Sequence, residues 1–98
     1  MAVILHVKVV AKPEHTEEVK KQLLALKDVA DNKEEGTLTY RVNQAVDDKN
    51  TFILFEEYKD EAAFEAHKAG DGFQALSAKM GEWLAEPLLM RFLQACQL

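Results

Sequence analysis

The chain has 98 residues, of which 48% are hydrophobic and 30% are charged, and its formal net charge is −5. This length predicts one domain over residues 1–98, with a small core. The lysines are interleaved with acidic residues and form no basic stripe, which argues against binding to nucleic acid.

No segment is apolar over the roughly 18 residues that a membrane-spanning helix needs. The N-terminus begins with strand-like alternation rather than with a basic segment and a small-residue cleavage site. We therefore expect no signal peptide, no membrane partner and a cytoplasmic location. Cys96 is the only cysteine, which leaves no partner for an intrachain disulfide and no cysteine-based metal motif.

The first third of the sequence predicts a strand and a long helix. Alternating apolar residues predict the strand over residues 2–11. Thr16 is predicted to cap the helix, because Glu17 and Glu18 follow it and suit the positive end of a helix dipole. Apolar residues then recur at helical spacing as far as about Asn32, namely Val19, Leu23, Leu26 and Ala30.

The middle of the sequence predicts two strands joined by a polar turn. The strands cover residues 37–46 and 51–58, and the turn covers residues 47–50. One face of the first of these strands carries Leu38, Tyr40, Val42 and Gln44, and one face of the other carries Phe52, Leu54, Glu56 and Tyr58. Asp60 is then predicted to cap a second helix from Glu61 to about Lys68.

The last third predicts a loop, a short helix and a final strand. The loop is Gly70, Asp71 and Gly72, whose two glycines predict a loose connection. The helix has an apolar stripe made of Phe73, Leu76, Met80, Trp83 and Leu84. Pro87 ends this segment, and residues 88–94 are predicted to form the strand.

The order β-α-β-β-α-(α)-β predicts an α+β fold, a ferredoxin-like βαββαβ sandwich with an antiparallel sheet. Helices cover only one face of such a sheet, yet the strands carry apolar side chains on both faces. In the first strand Leu5 and Val7 lie on one face, and Ile4 and Val10 on the other. A monomer would expose the second face as a large apolar patch, so we predict a homodimer packed sheet against sheet.

Five short patterns, in this order along the chain, resemble the antibiotic biosynthesis monooxygenase family over essentially its whole length. They are the opening segment from Val7 to Val19, the junction at Glu34, Gly36 and Tyr40, the strand at Phe52, Leu54 and Glu56 with Tyr58 in place of the family's tryptophan, the turn and helix at Asp60, Ala63 and His67, and the closing Phe73 and Pro87. Many members read Ser-Pro-His at residues 70–72, so this chain lacks their second histidine at Gly72.

The resemblance implies a dimeric α/β barrel and a cofactor-free oxygenase that uses O₂ on a quinol, an anthrone or another fused-ring phenol. A related branch resembles an isomerase of a phosphorylated autoinducer sugar. Haem-degrading relatives have a tryptophan where this chain has His67, and they use an asparagine on the first strand, where this chain has none. We therefore expect no haem and no other cofactor.

A carboxylate, a phenol and an imidazole fall close together at Glu56, Tyr58 and His67, where a strand leads into a helix. His67 suits a general base, because the ordinary pKa of histidine, about 6.5, lies near cellular pH. The alternative is a histidine that only makes a hydrogen bond in the core. Glu56 is predicted to orient His67 or to pair with Arg41 or Arg91, and an ordinary structural ion pair is the alternative.

The predicted catalytic residues are His67, Glu56 and Tyr40, and the predicted substrate contacts are Asn43, Tyr58, Phe55, Phe73, Met80 and Trp83. For the tyrosines and the large apolar side chains, simple packing is the alternative. The histidines and carboxylates lack the spacing of metal ligands, and no glycine-rich phosphate loop is present, so we predict no metal, nucleotide or flavin site.

Three functions are compatible with this site: an oxygenase, a non-oxidative isomerase of a small hydroxyketone, and a binding dimer without turnover. A dependence on O₂ separates the first from the second. A cavity filled by phenylalanine and methionine side chains, with His67 exposed, would favour the third.

Overall fold

The computed structural model describes residues 1–97. In this part of the chain four antiparallel strands form a single sheet, and three helices pack on one of its faces. The elements are β1 (Val3–Val10), a short 3-10 turn (Pro13–His15), α1 (Thr16–Lys33), β2 (Thr37–Gln44), β3 (Thr51–Tyr58), α2 (Glu61–Ala69), α3 (Asp71–Trp83) and β4 (Leu89–Leu93). This order confirms the predicted ferredoxin-like α+β fold.

The sheet order is β2-β3-β1-β4, so β1 and β3 lie in the centre. Their register places Val7 opposite Leu54 and Val9 opposite Phe52, with all four side chains buried beneath the helices. The predicted face of β3 is confirmed, because Phe52, Leu54, Glu56 and Tyr58 are all buried while the residues between them are partly exposed. The helices complete this core with the buried side chains Val19, Leu23, Leu26, Ala30, Phe64 and Leu76.

The start of α1 differs from the prediction. Thr16 is the first residue of the helix rather than its cap, and the cap position, His15, makes no side-chain capping bond. The Thr16 hydroxyl instead donates to the Asn50 side chain and to the Lys12 carbonyl. These bonds tie α1 to the β2–β3 connection, which the local sequence pattern did not reveal.

A bulge in β2 changes the predicted face of that strand. Thr37 pairs with Tyr58 and Thr39 pairs with Glu57, so Leu38 is an extra residue between them. Leu38 was predicted to share the core face with Tyr40, but its side chain is 55% exposed. The bulge instead brings Thr37 to the face that carries Tyr58.

The predicted loose loop at residues 70–72 is also corrected. Gly70 alone separates α2 from α3, and Asp71 and Gly72 already belong to the first turn of α3. A Cβ atom on Gly72 would lie 2.8 Å from Cδ2 of Leu26, so this glycine lets α3 pack closely against α1. α3 ends at Trp83, well before Pro87.

No helix among the described residues covers the other face of the sheet. Its half-buried apolar side chains are Ile4, Val10, Ile53 and Phe55, and its exposed polar ones include His6, Lys8, Arg41 and Arg91. Within residues 1–97, no helix combines the length and the apolar character needed to cross a membrane.

Candidate functional site

A group of polar side chains is buried at one end of the core. Tyr40, Glu56, Tyr58 and His67 have exposed fractions of 3%, 5%, 0% and 4%. The His67 ring lies 5.2 Å from the Tyr40 ring and 5.4 Å from the Tyr58 ring, measured between centroids. The structure therefore brings together the three residues predicted to be catalytic and one predicted substrate contact.

Secondary structure explains how these side chains meet. Tyr40 of β2 lies opposite Glu56 of β3, and both point towards the helices. Two residues after Tyr58, the Asp60 carboxylate accepts the Ala63 amide at 2.8 Å and caps α2, as predicted. His67 lies one turn beyond Phe64 on the buried stripe of α2, so the capped helix directs the imidazole onto the sheet.

Glu56 and Tyr58 form a buried hydrogen-bonded pair. The Tyr58 hydroxyl donates to Oε1 of Glu56 at 2.6 Å. Burial raises the pKa of Glu56, and the hydrogen bond from Tyr58 and the nearby His67 oppose that rise. Burial, followed by the negative charge of Glu56, also raises the pKa values of Tyr40 and Tyr58, so both phenols keep their protons at neutral pH.

The carboxylate next to His67 is Glu34, not Glu56. Nδ1 of His67 lies 2.9 Å from Oε1 and 3.2 Å from Oε2 of Glu34, which precedes β2. The prediction that Glu56 orients His67 is thus wrong, because Glu56 bonds to Tyr58 and Glu34 is the carboxylate next to His67. The sequence pointed to Glu34 only through its place in the Glu34–Gly36 junction. No local pattern connects that junction to His67, 33 residues further along the chain.

The predicted partners of Glu56 also lie elsewhere. Arg41 is opposite Phe55 and Arg91 is opposite His6, which puts both guanidinium groups on the helix-free face of the sheet. Both arginines are exposed. Glu56 therefore has a phenol rather than a cation as its hydrogen-bond partner.

The polar group opens onto a small apolar cavity of about 20 Å³. Its walls are Val7, Val9, Leu26, Tyr40, Leu54, Glu56, Phe64, His67, Lys68, Phe73, Leu76, Leu88 and Met90. This volume is sufficient for one molecule the size of water. Lys68, Phe73, Leu88 and Met90 are only half-buried, so the cavity approaches solvent on their side.

Three polar atoms of the site have no hydrogen-bond partner among residues 1–97: the Tyr40 hydroxyl, Oε2 of Glu56 and Nε2 of His67. In the same part of the chain, no fully enclosed side-chain nitrogen or oxygen lacks a partner. These three atoms therefore reach accessible space, and a bound molecule in the cavity is the nearest candidate partner.

Five of the six predicted substrate contacts do not line the cavity, and one of them is Tyr58, whose hydroxyl is bonded to Glu56. Asn43 and Phe55 project from the helix-free face, where Asn43 donates to the Ile53 carbonyl at 3.0 Å and Phe55 packs edge-on against His6. Strand alternation places them there, because both are out of phase with Tyr40 and Glu56. Met80 and Trp83 lie further along α3, and Trp83 stacks on His15. Phe73 does line the cavity, and its ring lies 6.2 Å from that of His67.

Potential metal ligands are dispersed in the structure. Across residues 1–97, no group of three or more histidine, cysteine, aspartate or glutamate side chains has the geometry to hold a metal ion. Two of the ionisable side chains around the cavity belong instead to hydrogen-bonded pairs, Glu56 with Tyr58 and His67 with Glu34.

Comparison with known proteins confirms the resemblance noted in the sequence. The family model for antibiotic biosynthesis monooxygenases matches residues 2–79. "Putative monooxygenase YcnE" of Bacillus subtilis is 35% identical over 86 residues, which cover 88% of this chain and 90% of that protein. PA3566 from Pseudomonas aeruginosa has a TM-score of 0.90 at 26% identity, over 98% of this chain and 95% of the other.

Rv0793 from Mycobacterium tuberculosis shares the fold, with a TM-score of 0.89 at 21% identity over 99% of this chain and 97% of its own. The family model, the Bacillus subtilis relative and the similar folds therefore identify the same family over nearly the whole length of the chain. The chain belongs to the antibiotic biosynthesis monooxygenase family.

Proposed function

We propose that the protein is a cofactor-independent monooxygenase that oxidises a quinol, an anthrone or a similar fused-ring phenol with O₂. The observation that carries this proposal is the buried polar group at an apolar cavity, with a free imidazole nitrogen, a free phenol and a free carboxyl oxygen directed at accessible space. Membership of the family supports a monooxygenase-like activity.

In this proposal His67 acts as the general base. Nε2 of His67 removes the proton from a substrate hydroxyl or activated C–H group, which leaves an electron-rich anion. Tyr40 donates a hydrogen bond to the developing oxyanion, because its raised pKa keeps the phenol protonated. Tyr58 supports the site indirectly, since its hydroxyl is engaged with Glu56.

The substrate itself supplies the electrons. Its anion reduces O₂, a carbon–oxygen bond forms, and the resulting peroxide breaks down so that one oxygen atom stays in the product and the other leaves as water. The protons taken up in the last step are those released by the substrate. The aliphatic and aromatic lining of the cavity excludes bulk water from the reactive anion.

The size of the cavity sets a condition on the substrate. Pockets for drug-sized ligands measure about 300–1,000 Å³, far more than the enclosed space here. A fused-ring substrate must therefore displace the half-buried side chains of Phe73, Leu88 and Met90 on the open side. The small cavity favours a second candidate, an isomerase of a small hydroxyketone, in which His67 and Glu56 would move protons without O₂.

We also propose that the protein acts as a homodimer through the helix-free face of the sheet. The half-buried apolar side chains Ile4, Val10, Ile53 and Phe55 lie on that face. A second copy would cover them and extend the two sheets into a barrel. Sedimentation analysis tests this proposal, and a monomer at micromolar concentration would contradict it.

The activity is tested by O₂ uptake with a panel of quinols and anthrones, using protein freed of metals and flavin. We expect uptake above autoxidation that falls by about 100-fold or more in His67→Ala. His15→Ala is the matched control, because His15 lies in a turn outside the cavity. Uptake no faster than autoxidation across the panel would contradict the oxygenase, and anaerobic turnover of a hydroxyketone would support the isomerase.

A further inference from the structure

The geometry points to Glu34 as the positioning residue of the site, which holds His67 in the form that presents an unprotonated Nε2 to the cavity. Thr37 fixes the orientation of the Glu34 carboxylate in turn. The inference deepens the proposed function, because a base at His67 requires this form. Its central test nevertheless measures the imidazole directly and does not depend on catalysis.

The hydrogen bond between Glu34 and His67 determines which ring nitrogen carries the proton. An ionised carboxylate only accepts hydrogen bonds, so Nδ1 must donate to it across the 2.9 Å separation. In a neutral imidazole the lone pair then lies on Nε2. Nε2 is the nitrogen that lacks a partner within residues 1–97 and reaches accessible space.

A hydrogen bond from Thr37 restrains the orientation of the Glu34 carboxylate. The Thr37 hydroxyl donates to Oε1 of Glu34 at 2.7 Å, the same oxygen that lies nearest to His67. Thr37 reaches this position because of the bulge at Leu38, which turns it to the face of Tyr58. A bulge that re-aims a side chain beside a candidate site is a recurrent structural device.

The backbone around Glu34 is also held against the β3–α2 connection and the first turn of α2. Lys59 donates its amide to the Gly36 carbonyl at 2.8 Å, and the Thr37 amide donates to the Glu34 carbonyl at 3.2 Å. Gly36 lies so close to α2 that a Cβ atom there would be 2.5 Å from Cβ of Ala63, one turn before His67. The junction between α1 and β2 is therefore built against the helix that carries the imidazole.

His67 and Glu34 differ in exposure in the way expected of a buried base and the carboxylate that orients it. The His67 side chain is 3% exposed and the Glu34 side chain 23% exposed. The carboxylate thus lies at the edge of the site in contact with water, while the imidazole lies in the interior. A proton taken by Nε2 would leave an imidazolium that Glu34 stabilises.

The direct test is nitrogen NMR of ¹⁵N-histidine protein at about pH 8.5, two units above the ordinary pKa of histidine. His67→Ala identifies the His67 signals by their loss. We expect the Nδ1–H form of His67 to dominate in the unaltered protein. A dominant Nε2–H form would overturn the inference, whatever the variants do.

The diagnostic variant is Glu34→Gln. In this variant an NH₂ group, which only donates, replaces one of the two oxygens that lie 2.9 Å and 3.2 Å from Nδ1 of His67, and the negative charge is lost. The Nδ1–H form therefore loses its ionised acceptor and meets a second donor, which favours the Nε2–H form. We expect the NMR signals to change to that form, and kcat to fall by about 100-fold while KM changes less than about twofold. Glu35→Gln is the matched control, because it removes the same charge from the adjacent exposed residue.

The possible results separate this inference from the proposed function. A change of form in Glu34→Gln without any O₂ uptake by the unaltered protein would support the positioning role and contradict the oxygenase. O₂ uptake that is equally fast in Glu34→Gln, with an unchanged NMR form, would contradict the positioning role and leave the oxygenase supported.

Discussion

The two halves of β3 carry equally buried side chains of opposite chemistry. Phe52 and Leu54 in the first half are 0% and 3% exposed, and Glu56 and Tyr58 in the second half are 5% and 0% exposed. Alternation along the strand turns all four towards the helices. Burial therefore does not distinguish the apolar half, which stabilises the fold, from the half that supplies polar side chains to the site.

The difference lies in what burial does to the free energy of folding. Burying a phenylalanine or leucine side chain contributes about 1.5–3 kcal/mol. Burying a carboxyl group is unfavourable unless hydrogen bonds compensate, and Glu56 has one such bond, from Tyr58. The first half of β3 should thus stabilise the fold, and this stabilisation offsets the cost of burying the polar side chains in the second half.

The largest expected effect is on stability at the apolar half. Phe52→Ala should lower the free energy of unfolding by about 3–5 kcal/mol, because it empties a fully buried site. Phe52 does not line the cavity, so activity per folded molecule should be unchanged. Urea denaturation measures the loss.

Phe55→Ala is the matched control for this prediction. Phe55 is in the same strand but on the helix-free face, where it is half-buried in a single chain. Its loss should be smaller when both variants are compared at protein concentrations at which the chain is monomeric. A loss below about 1 kcal/mol for Phe52→Ala would contradict the division of β3 into a stabilising and a functional half.

Much of this division could be predicted from the sequence. Alternation gave the inward face of β3, helical spacing gave the buried stripe of α1, and Asp60 marked the start of α2. Each of these signals is local, since it depends on residues within a few positions of one another. Tyr40, Glu56 and His67 were recognised for the same reason, as polar residues at positions that the pattern turns inward.

The contacts that could not be predicted are those made by distant segments. Glu34 meets His67 because a bulge at Leu38 and a close approach at Gly36 bring the start of β2 against α2. The sequence predicts Met80 and Trp83 at the cavity, but α3 carries both residues past it. Helix offset and strand bulges depend on packing between elements, and no short pattern encodes them.

The next effect is at Gly36, beside the polar half of β3, and tests whether close packing maintains the site. Gly36→Ala should lower the free energy of unfolding by about 1–3 kcal/mol, because the new methyl group would meet Cβ of Ala63. No glycine among residues 1–97 has a positive φ, so the cost at Gly36 comes from space and not from backbone conformation. Thermal unfolding measures the change.

Gly81→Ala is the control for added volume. A Cβ atom at Gly81 has nothing within 4 Å, and the residue lies inside α3, so this change should stabilise the protein by about 0.5–1 kcal/mol. Equal effects of the two variants would mean that β2 and α2 do not depend on the close approach.

The smallest expected effect concerns the pH dependence of stability. Burial raises the folded-state pKa of Glu56 above its unfolded value near 4.5, so between these two pKa values the folded state binds more protons than the unfolded state. Stability contributed by this group must then decrease as the pH rises through that interval. Glu56→Gln should remove this decrease while the amide oxygen still accepts from Tyr58.

The comparison of Glu56→Gln with Glu57→Gln isolates burial, because Glu57 is the next residue of the same strand and faces the other way. The decrease of the denaturation midpoint between about pH 4 and pH 8 should be smaller in Glu56→Gln than in the unaltered protein, and should be unchanged in Glu57→Gln. If that variant is also more stable at neutral pH but less active, the carboxyl group is retained for chemistry at a cost in stability, as the contrast within β3 predicts. Equal pH profiles for both variants would show instead that Glu56 is as well accommodated as the phenylalanine at the other end of the strand.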